Sequence, residues 1–434
     1  MKKTAIVIFF IFILIFPSMA FCEVKEKVLK NGLKIIFIED HSSPVSTFQV
    51  WYKVCSMDEA EGKSGISHLL EHLMFRGSRN YPGNVFSKII QSQGGIDNAF
   101  TTKDYTVYFQ KLSPSKIQTS ISLEADRMAN LLLLPEDFEL EKKIVLEERR
   151  QRYDDDPESL MFEEVISVAF KNHSYRKPVI GWIEDIQSIT LDDVKNYYNE
   201  YYCPNNAFII VAGDIKQKEV IGQIKEKFEN IPSCKINPPR KNLYEPEQYG
   251  ERRVILKKQT HLPMLVMAYK VPAYPQKDSL SLEVLSTIMG EGKSSRLYRK
   301  LVIEKALVVD VSTGNSPLSR DGFLFFIVAS LKDVEKIDEV RKIIEEEIDR
   351  IKNEQPSEKE IEKAKNQVEA SFLFNQDSVF GYALYLGRFE ILGDWKMIDR
   401  YREEIIKVQS EDVQNVTKKY FNFNNLSIGV LLPR

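Results

Sequence analysis

Apolar and polar residues alternate over residues 34–38, 47–54 and 105–112, and a period of two predicts strands. Long charged helical stretches lie between such runs, for example after Pro135. The same mixture returns in the second half of the chain. It predicts an α+β fold, with helices packed on a largely antiparallel sheet.

The pattern also repeats. Residues 193–211, DVKNYYNEYYCPNNAFIIV, align with residues 412–430, DVQNVTKKYFNFNNLSIGV, at a constant offset of 219. Tyr52-Lys53-Val54 returns as Tyr269-Lys270-Val271, and the helix after Pro135 has a parallel after Pro356. One duplication at this period predicts two homologous domains rather than a solenoid. The boundary falls in residues 231–250, IPSCKINPPRKNLYEPEQYG, where four prolines and little apolar periodicity read as a linker. The expected domains are therefore residues 24–230 and 251–434.

Composition narrows the class. A chain of 434 residues is long for one core, and 43% hydrophobic with 28% charged residues reads as globular and soluble. Net charge is −3 with no basic arm, which argues against a nucleic-acid partner. At the N-terminus Lys2 and Lys3 precede an apolar run over residues 5–16 and then Pro17-Ser18-Met19-Ala20, the order of a signal peptide cleaved after Ala20. The run is short for a membrane span. An uncleaved anchor is one alternative; lipid attachment at Cys22 is another, although bulky Phe21 stands before it. Loss of the two lysines leaves 58 basic and 63 acidic residues, a net charge of −5. No other segment is long and apolar enough to span a bilayer, so the expectation is an exported, periplasmic protein. Cys22, Cys55, Cys203 and Cys234 form no CxxC motif; an exported chain can bridge two of them, and spacing does not say which.

Candidate chemistry centres on GISHLLEHLMFRG, residues 65–77. With residues 65–75 on a helix and Ser64 as N-cap, His68, Glu71 and His72 stand at i, i+3 and i+4 on one face. Two such imidazoles can chelate one zinc, and the glutamate can reach a water on it. Zinc lowers that water's pKa to about 7, and a carboxylate completes the deprotonation. HxxEH inverts the HExxH peptidase motif. A helix with two solvated or core histidines would show the same five residues.

The helix after Pro135 offers a third ligand. Glu141, Ile144, Val145 and Glu148 share a stripe at i, i+3, i+4 and i+7, with Glu147 on the solvent side. A carboxylate on an apolar face needs a partner, because a lone buried charge is expensive. A metal is one such partner; a charged surface helix is the other reading.

These features together resemble the pitrilysin-type (inverzincin) zinc peptidases, the family of insulin-degrading enzyme and the mitochondrial processing peptidase. The resemblance covers nearly all of the chain beyond the leader. It rests on His68-x-x-Glu71-His72, on Glu148 76 residues after His72, on Glu141, and on DDDP (154–157), YRKPVIGWIEDI (175–186) and NNAFIIVAGD (205–214). It implies His68, His72 and Glu148 as ligands of one Zn2+ per chain, Glu71 as general base, and Glu141 orienting a ligand histidine. It also implies that Asn98, Ala99, Phe100 and Thr101 form a strand edge to which an extended peptide adds. The implied activity is hydrolysis of peptides or unfolded polypeptides. Arginine-directed members carry two acidic residues after the third ligand; Glu158 matches one place, but Phe162 holds the other.

The second half departs from the first. LEVLSTIMGEG, residues 282–292, lacks HxxEH, and His261 lies outside it. GEGKSS, residues 290–295, looks like half a P-loop, but Thr287 stands where its first glycine belongs. Family members with an active second domain carry an arginine and, seven residues on, a tyrosine; here Val302 and Val309 hold those places, with Arg296, Tyr298 and Arg299 nearby but out of register. The expected assembly is therefore a heterodimer with a homologous non-catalytic partner, or else a homodimer. A structural or peptide-binding subunit without turnover is the rival reading.

Overall fold

The computed structural model describes residues 24–234 and 244–434. The leader, Cys22 and linker residues 235–243 lie outside the described residues. The first sheet contains β1 (Val24–Val28), β2 (Lys34–Glu39), β3 (Ser46–Tyr52), β4 (Ile96–Thr101), β5 (Thr106–Leu112) and β6 (Ala207–Gly213), in the order β1-β2-β6-β3-β5-β4. The second contains β7 (Arg252–Lys258), β8 (Met264–Val271), β9 (Val308–Gly314), β10 (Phe323–Leu331) and β11 (Leu426–Pro433), in the order β7-β11-β8-β10-β9. With β1 set aside, the two orders coincide. Each sheet has one parallel pair, β2–β6 and β7–β11, at the same place, and the other neighbours are antiparallel. The fold is α+β with two homologous domains.

The repeat holds residue for residue where the sequence shows it. Helices Leu191–Tyr201 and Ser410–Tyr420 both begin with a capping box, Thr190 with Asp193 and Gln409 with Asp412. Both lead through a 3-10 turn into an inner strand of the sheet, β6 or β11.

The domains are joined by exchange of helices. Pro157–Ala169, from the first domain, lays Met161 and Val165 against Val266 and Leu431 on the back of the second sheet. Gly429 permits this approach, because a Cβ there would stand 2.3 Å from Val165 and 2.4 Å from Met161. Val379–Leu392, from the second domain, lays Ala383 and Leu386 against Trp51, Phe208 and Ile210 of the first sheet. Gly387 sits on the Trp51 indole, where a Cβ would be 2.3 Å from the ring. Both faces of the first sheet are thus covered. That is why β3 is buried along its whole length, including polar Thr47 and Gln49.

Polar contacts reinforce this seam. Arg320, in the loop before β10, reaches Asp58 Oδ2 at 2.9 Å and the Asp104 carbonyl at 3.3 Å. Tyr175 donates to the Asp104 carboxylate and accepts from the Asp321 amide. Cys203 and Cys234 form a disulfide with Cα atoms 5.7 Å apart, and Cys55 is a buried free thiol. Among the described residues, no helix is long and apolar enough to cross a membrane.

Candidate metal centre

The motif helix spans Ile66–Leu73, two residues shorter at its C-terminal end than the sequence predicts. Ile66, Leu69, Leu70 and Leu73 face the core, which leaves His68, Glu71 and His72 on the cleft side. Its start corrects the expectation for Ser64. The N-cap is Gly65, at φ +91°, and Glu59 supplies the acceptors: its Oε2 and Oε1 take the Gly65 and Ser67 amides at 2.9 Å each. Gly65 is required here, since φ is left-handed and a Cβ would lie 2.3 Å from the Ile180 carbonyl. Ser64 instead donates its hydroxyl to Asp185 at 2.5 Å.

The second helix spans Pro135–Arg149. Its buried residues are Phe138, Glu141, Val145 and Arg149, so the inward stripe is narrower than predicted, and Ile144 is 39% exposed. Arg149 displaces the expected pattern because it forms a buried, two-pronged pair with Glu163. Glu147 lies in solvent beside Arg150, as expected.

These two helices bring His68, His72 and Glu148 together. One ligand atom from each lies within 4.8 Å of the others. Glu148 Oε2 is 3.3 Å from His72 Nε2 and 3.9 Å from His68 Nε2, while its Oε1 meets Arg152 at 2.9 Å. The other nitrogen of His72, Nδ1, is 2.9 Å from Glu141 Oε2, which turns Nε2 toward the cluster. Arg76, in the turn after the motif helix, clamps the second oxygen of Glu141. Two imidazole nitrogens and one carboxylate oxygen, with an orienting carboxylate behind, are a donor set that fits zinc.

Glu71 lies beside this cluster and accepts a 2.5 Å hydrogen bond from Thr101 Oγ1. Thr101 ends β4, the outermost strand of its sheet. Asn98 lines the adjoining cleft with Glu71 and His72, Ala99 is buried against the core, and Phe100 packs on the opposite face. The cleft measures about 530 Å³.

The electrostatics follow from this packing. Burial, then the neighbouring His72, holds the His68 imidazole well below its ordinary value, so it is neutral and ready to bind. Burial works against charge on His72 too, but hydrogen bonds to Glu141 and Glu148 overcome it and raise the group to about 9. Burial raises Glu71, opposed by the Thr101 hydrogen bond.

Two results are expected. Metal binding must expel the His72 proton. Because that proton is held until about pH 9, zinc uptake at pH 7 should release about one proton, and apparent affinity should climb about tenfold per pH unit toward pH 9. Calorimetry in buffers of different ionisation enthalpy measures this directly. Glu141→Gln should weaken zinc binding by about 10–100-fold, read by chelator competition.

Comparison with known proteins gives the chain its family. The model of the insulinase family (peptidase family M16) matches residues 34–181, and that of the peptidase M16 inactive domain matches residues 188–368. A Helicobacter pylori protein named zinc protease PqqE is 33% identical over 408 residues, covering 93% of this chain and 92% of that one. The chain belongs to the M16 family. A crystal structure of a protease from Helicobacter pylori superposes with a TM-score of 0.90 at 32% identity, over 95% of this chain and all of that one. A probable mitochondrial-processing peptidase subunit beta of Arabidopsis thaliana is 24% identical over 95% of this chain and 78% of that one.

The other residues that the resemblance singles out lie outside the cluster of His68, His72 and Glu148. Glu158 is exposed at the start of its helix, and Phe162 packs on Phe326 at the domain seam, 5.7 Å between ring centroids. Arg296 is held by Glu360 at 2.7 Å within the second domain. Val302 packs at the second core, and Val309 is exposed on β9. Sequence reasoning missed Glu59, the clamp from Arg76 and the Thr101–Glu71 bond. Arg76 lies just past the motif helix, so helical spacing does not mark it.

Proposed function

We propose that this chain is a zinc metalloendopeptidase acting on peptides or unfolded polypeptides. The observation that carries the reading is the convergence of both histidine Nε2 atoms on Glu148, with Glu71 adjoining an edge strand. His68, His72 and Glu148 hold the metal, which when bound supplies a Lewis acid that polarises a carbonyl and acidifies water. Glu71 accepts the proton of the attacking water and delivers it to the leaving nitrogen. Glu141 and Arg76 fix the tautomer and tilt of His72. The outer edge of β4, over Asn98, Ala99, Phe100 and Thr101, binds substrate backbone as an added strand, which tolerates varied side chains.

The catalytic unit in this reading is residues 24–230, joined through residues 231–250 to a non-catalytic unit at residues 251–434. The valines at 302 and 309, and the engagement of Arg296 by Glu360, support a partner that supplies the missing arginine and tyrosine. The assembly is then a heterodimer whose halves enclose the cleft. The disulfide and the leader-like N-terminus support export to the periplasm; a structural neighbour from Escherichia coli with TM-score 0.77 is itself described as a periplasmic protease.

The test is cleavage of a quenched peptide by the purified chain, with and without zinc and with and without a homologous chain that lacks HxxEH. Zinc-dependent cleavage that rises sharply with the partner is expected. Full turnover by the chain alone removes the heterodimer but keeps the peptidase. No zinc-dependent cleavage under either condition removes both.

A further inference from the structure

The second domain keeps the elements that build the metal centre and fills them differently. By place in the repeat, helix Asp278–Gly290 answers the motif helix, Glu358–Phe374 answers Pro135–Arg149, and edge strand β9 answers β4. A cavity of about 200 Å³ lies between these two helices and the loop that leaves β9, lined also by Val379–Leu392 and Met397–Ile405.

Its charged wall is unusual. Glu283 and Glu291 both face the cavity, and so does Arg388. Among the described residues Arg388 forms no ion pair within 4.0 Å; its contact is the Tyr385 ring, 6.0 Å from the guanidinium carbon to the ring centroid. Asn315, just past β9, donates its amide to Glu283 Oε2 at 3.2 Å, while its own Oδ1 is buried and unpartnered. Thr287 donates to Glu291 Oε2 at 3.2 Å. Burial, then the neighbouring Glu291, pushes the Glu283 carboxyl up to about 7, and burial raises Glu291 as well. Phe372, Leu318 and Val368 form an apolar wall.

Two carboxylates and a guanidinium thus share one cavity without closing a salt bridge, an arrangement that is costly unless something else satisfies them. A divalent cation would use only the acidic groups and would meet the positive charge of Arg388. A ligand with both charges uses every group. An ammonium donates to the carboxylates and to Asn315 Oδ1, and a carboxylate receives the planar fork of the guanidinium. The volume falls below the about 300–1,000 Å³ of pockets for drug-sized ligands, which limits the occupant to about the size of an amino acid.

We propose that this cavity binds a free α-amino acid as its zwitterion, with Glu283, Glu291 and Asn315 on the ammonium and Arg388 on the carboxylate. The apolar wall takes the side chain. The second domain would then have exchanged the metal centre of the first for a small-molecule site built on the same two helices. This inference stands apart from the peptidase reading, since none of its residues belongs to the zinc cluster.

The experiment is thermal unfolding of the whole chain in the presence of each common amino acid, followed by calorimetric titration of those that stabilise it. At least one amino acid should raise the midpoint by about 2 °C or more at saturation. Its N-acetyl derivative, which lacks the ammonium, and its decarboxylated amine should both fail to do so. Glu283→Gln and Arg388→Gln should each weaken binding about tenfold or more and leave zinc binding unchanged. The ligand series uses the unaltered chain, so it decides the matter even where a variant folds poorly. Absence of stabilisation by any amino acid overturns the proposal. So do equal stabilisation by the N-acetyl form, binding that survives both substitutions, and stabilisation by calcium or magnesium chloride that Glu283→Gln removes while zinc binding persists.

Discussion

Glu71→Gln should lower cleavage of a quenched peptide by about 10²–10⁴-fold and leave zinc content unchanged. The substitution is isosteric, and a glutamine oxygen can still accept the Thr101 hydroxyl, now at 2.5 Å from the carboxylate. Glu71 is not in the His68–His72–Glu148 cluster, so the donor set stays whole. What is lost is a group that takes a proton and returns it. An amide can do neither. Metal analysis and kinetics on the same preparation separate the two effects. Loss of zinc together with activity would show that Glu71 holds the metal rather than the proton, and retained cleavage would remove it from the reaction.

Arg320→Ala should destabilise the chain by about 3–5 kcal/mol, measured by urea unfolding. The side chain of Arg320 is 8% exposed and that of Asp58 12%, and the substitution leaves Asp58 buried without its cation. Burial works against charge on Arg320, but Asp58 and its neighbours outweigh it and raise the group above its ordinary range. Arg320 also binds the Asp104 carbonyl, at the turn between β4 and β5. Glu59, next to Asp58 in the chain, caps the motif helix. A loosened seam therefore reaches the metal centre from behind, and zinc affinity should fall with stability. Asp58→Asn in the same chain should recover part of the loss, because the orphaned charge is gone. A loss below about 1 kcal/mol would show that water replaces the arginine there.

Much of this was legible in the chain, because it is local or periodic. The i, i+3, i+4 placement of His68, Glu71 and His72 follows from helix geometry alone. The repeat at 219 residues fixed the correspondence of β6 with β11 and of the helices before them. Glu141 and Glu148 were legible as candidates from their stripe, whereas β4 was expected only through the family resemblance.

The rest depended on partners far apart in sequence, which leave no period. Ile144 had the spacing of a core residue but lies outward, because the Arg149–Glu163 pair turns the buried stripe. Ser64 had the chemistry of a cap, yet Glu59 reaches both free amides through a folded loop. Alternation in β3 did not announce that both its faces are covered; a helix more than 300 residues away does that. Of four cysteines, only the folded path of the chain brings Cys203 and Cys234 within 5.7 Å. Sequence determined which residues share an element and a face. Tertiary structure decided which charges meet, because pairing requires distance, and distance between remote elements is set by the packing of the whole.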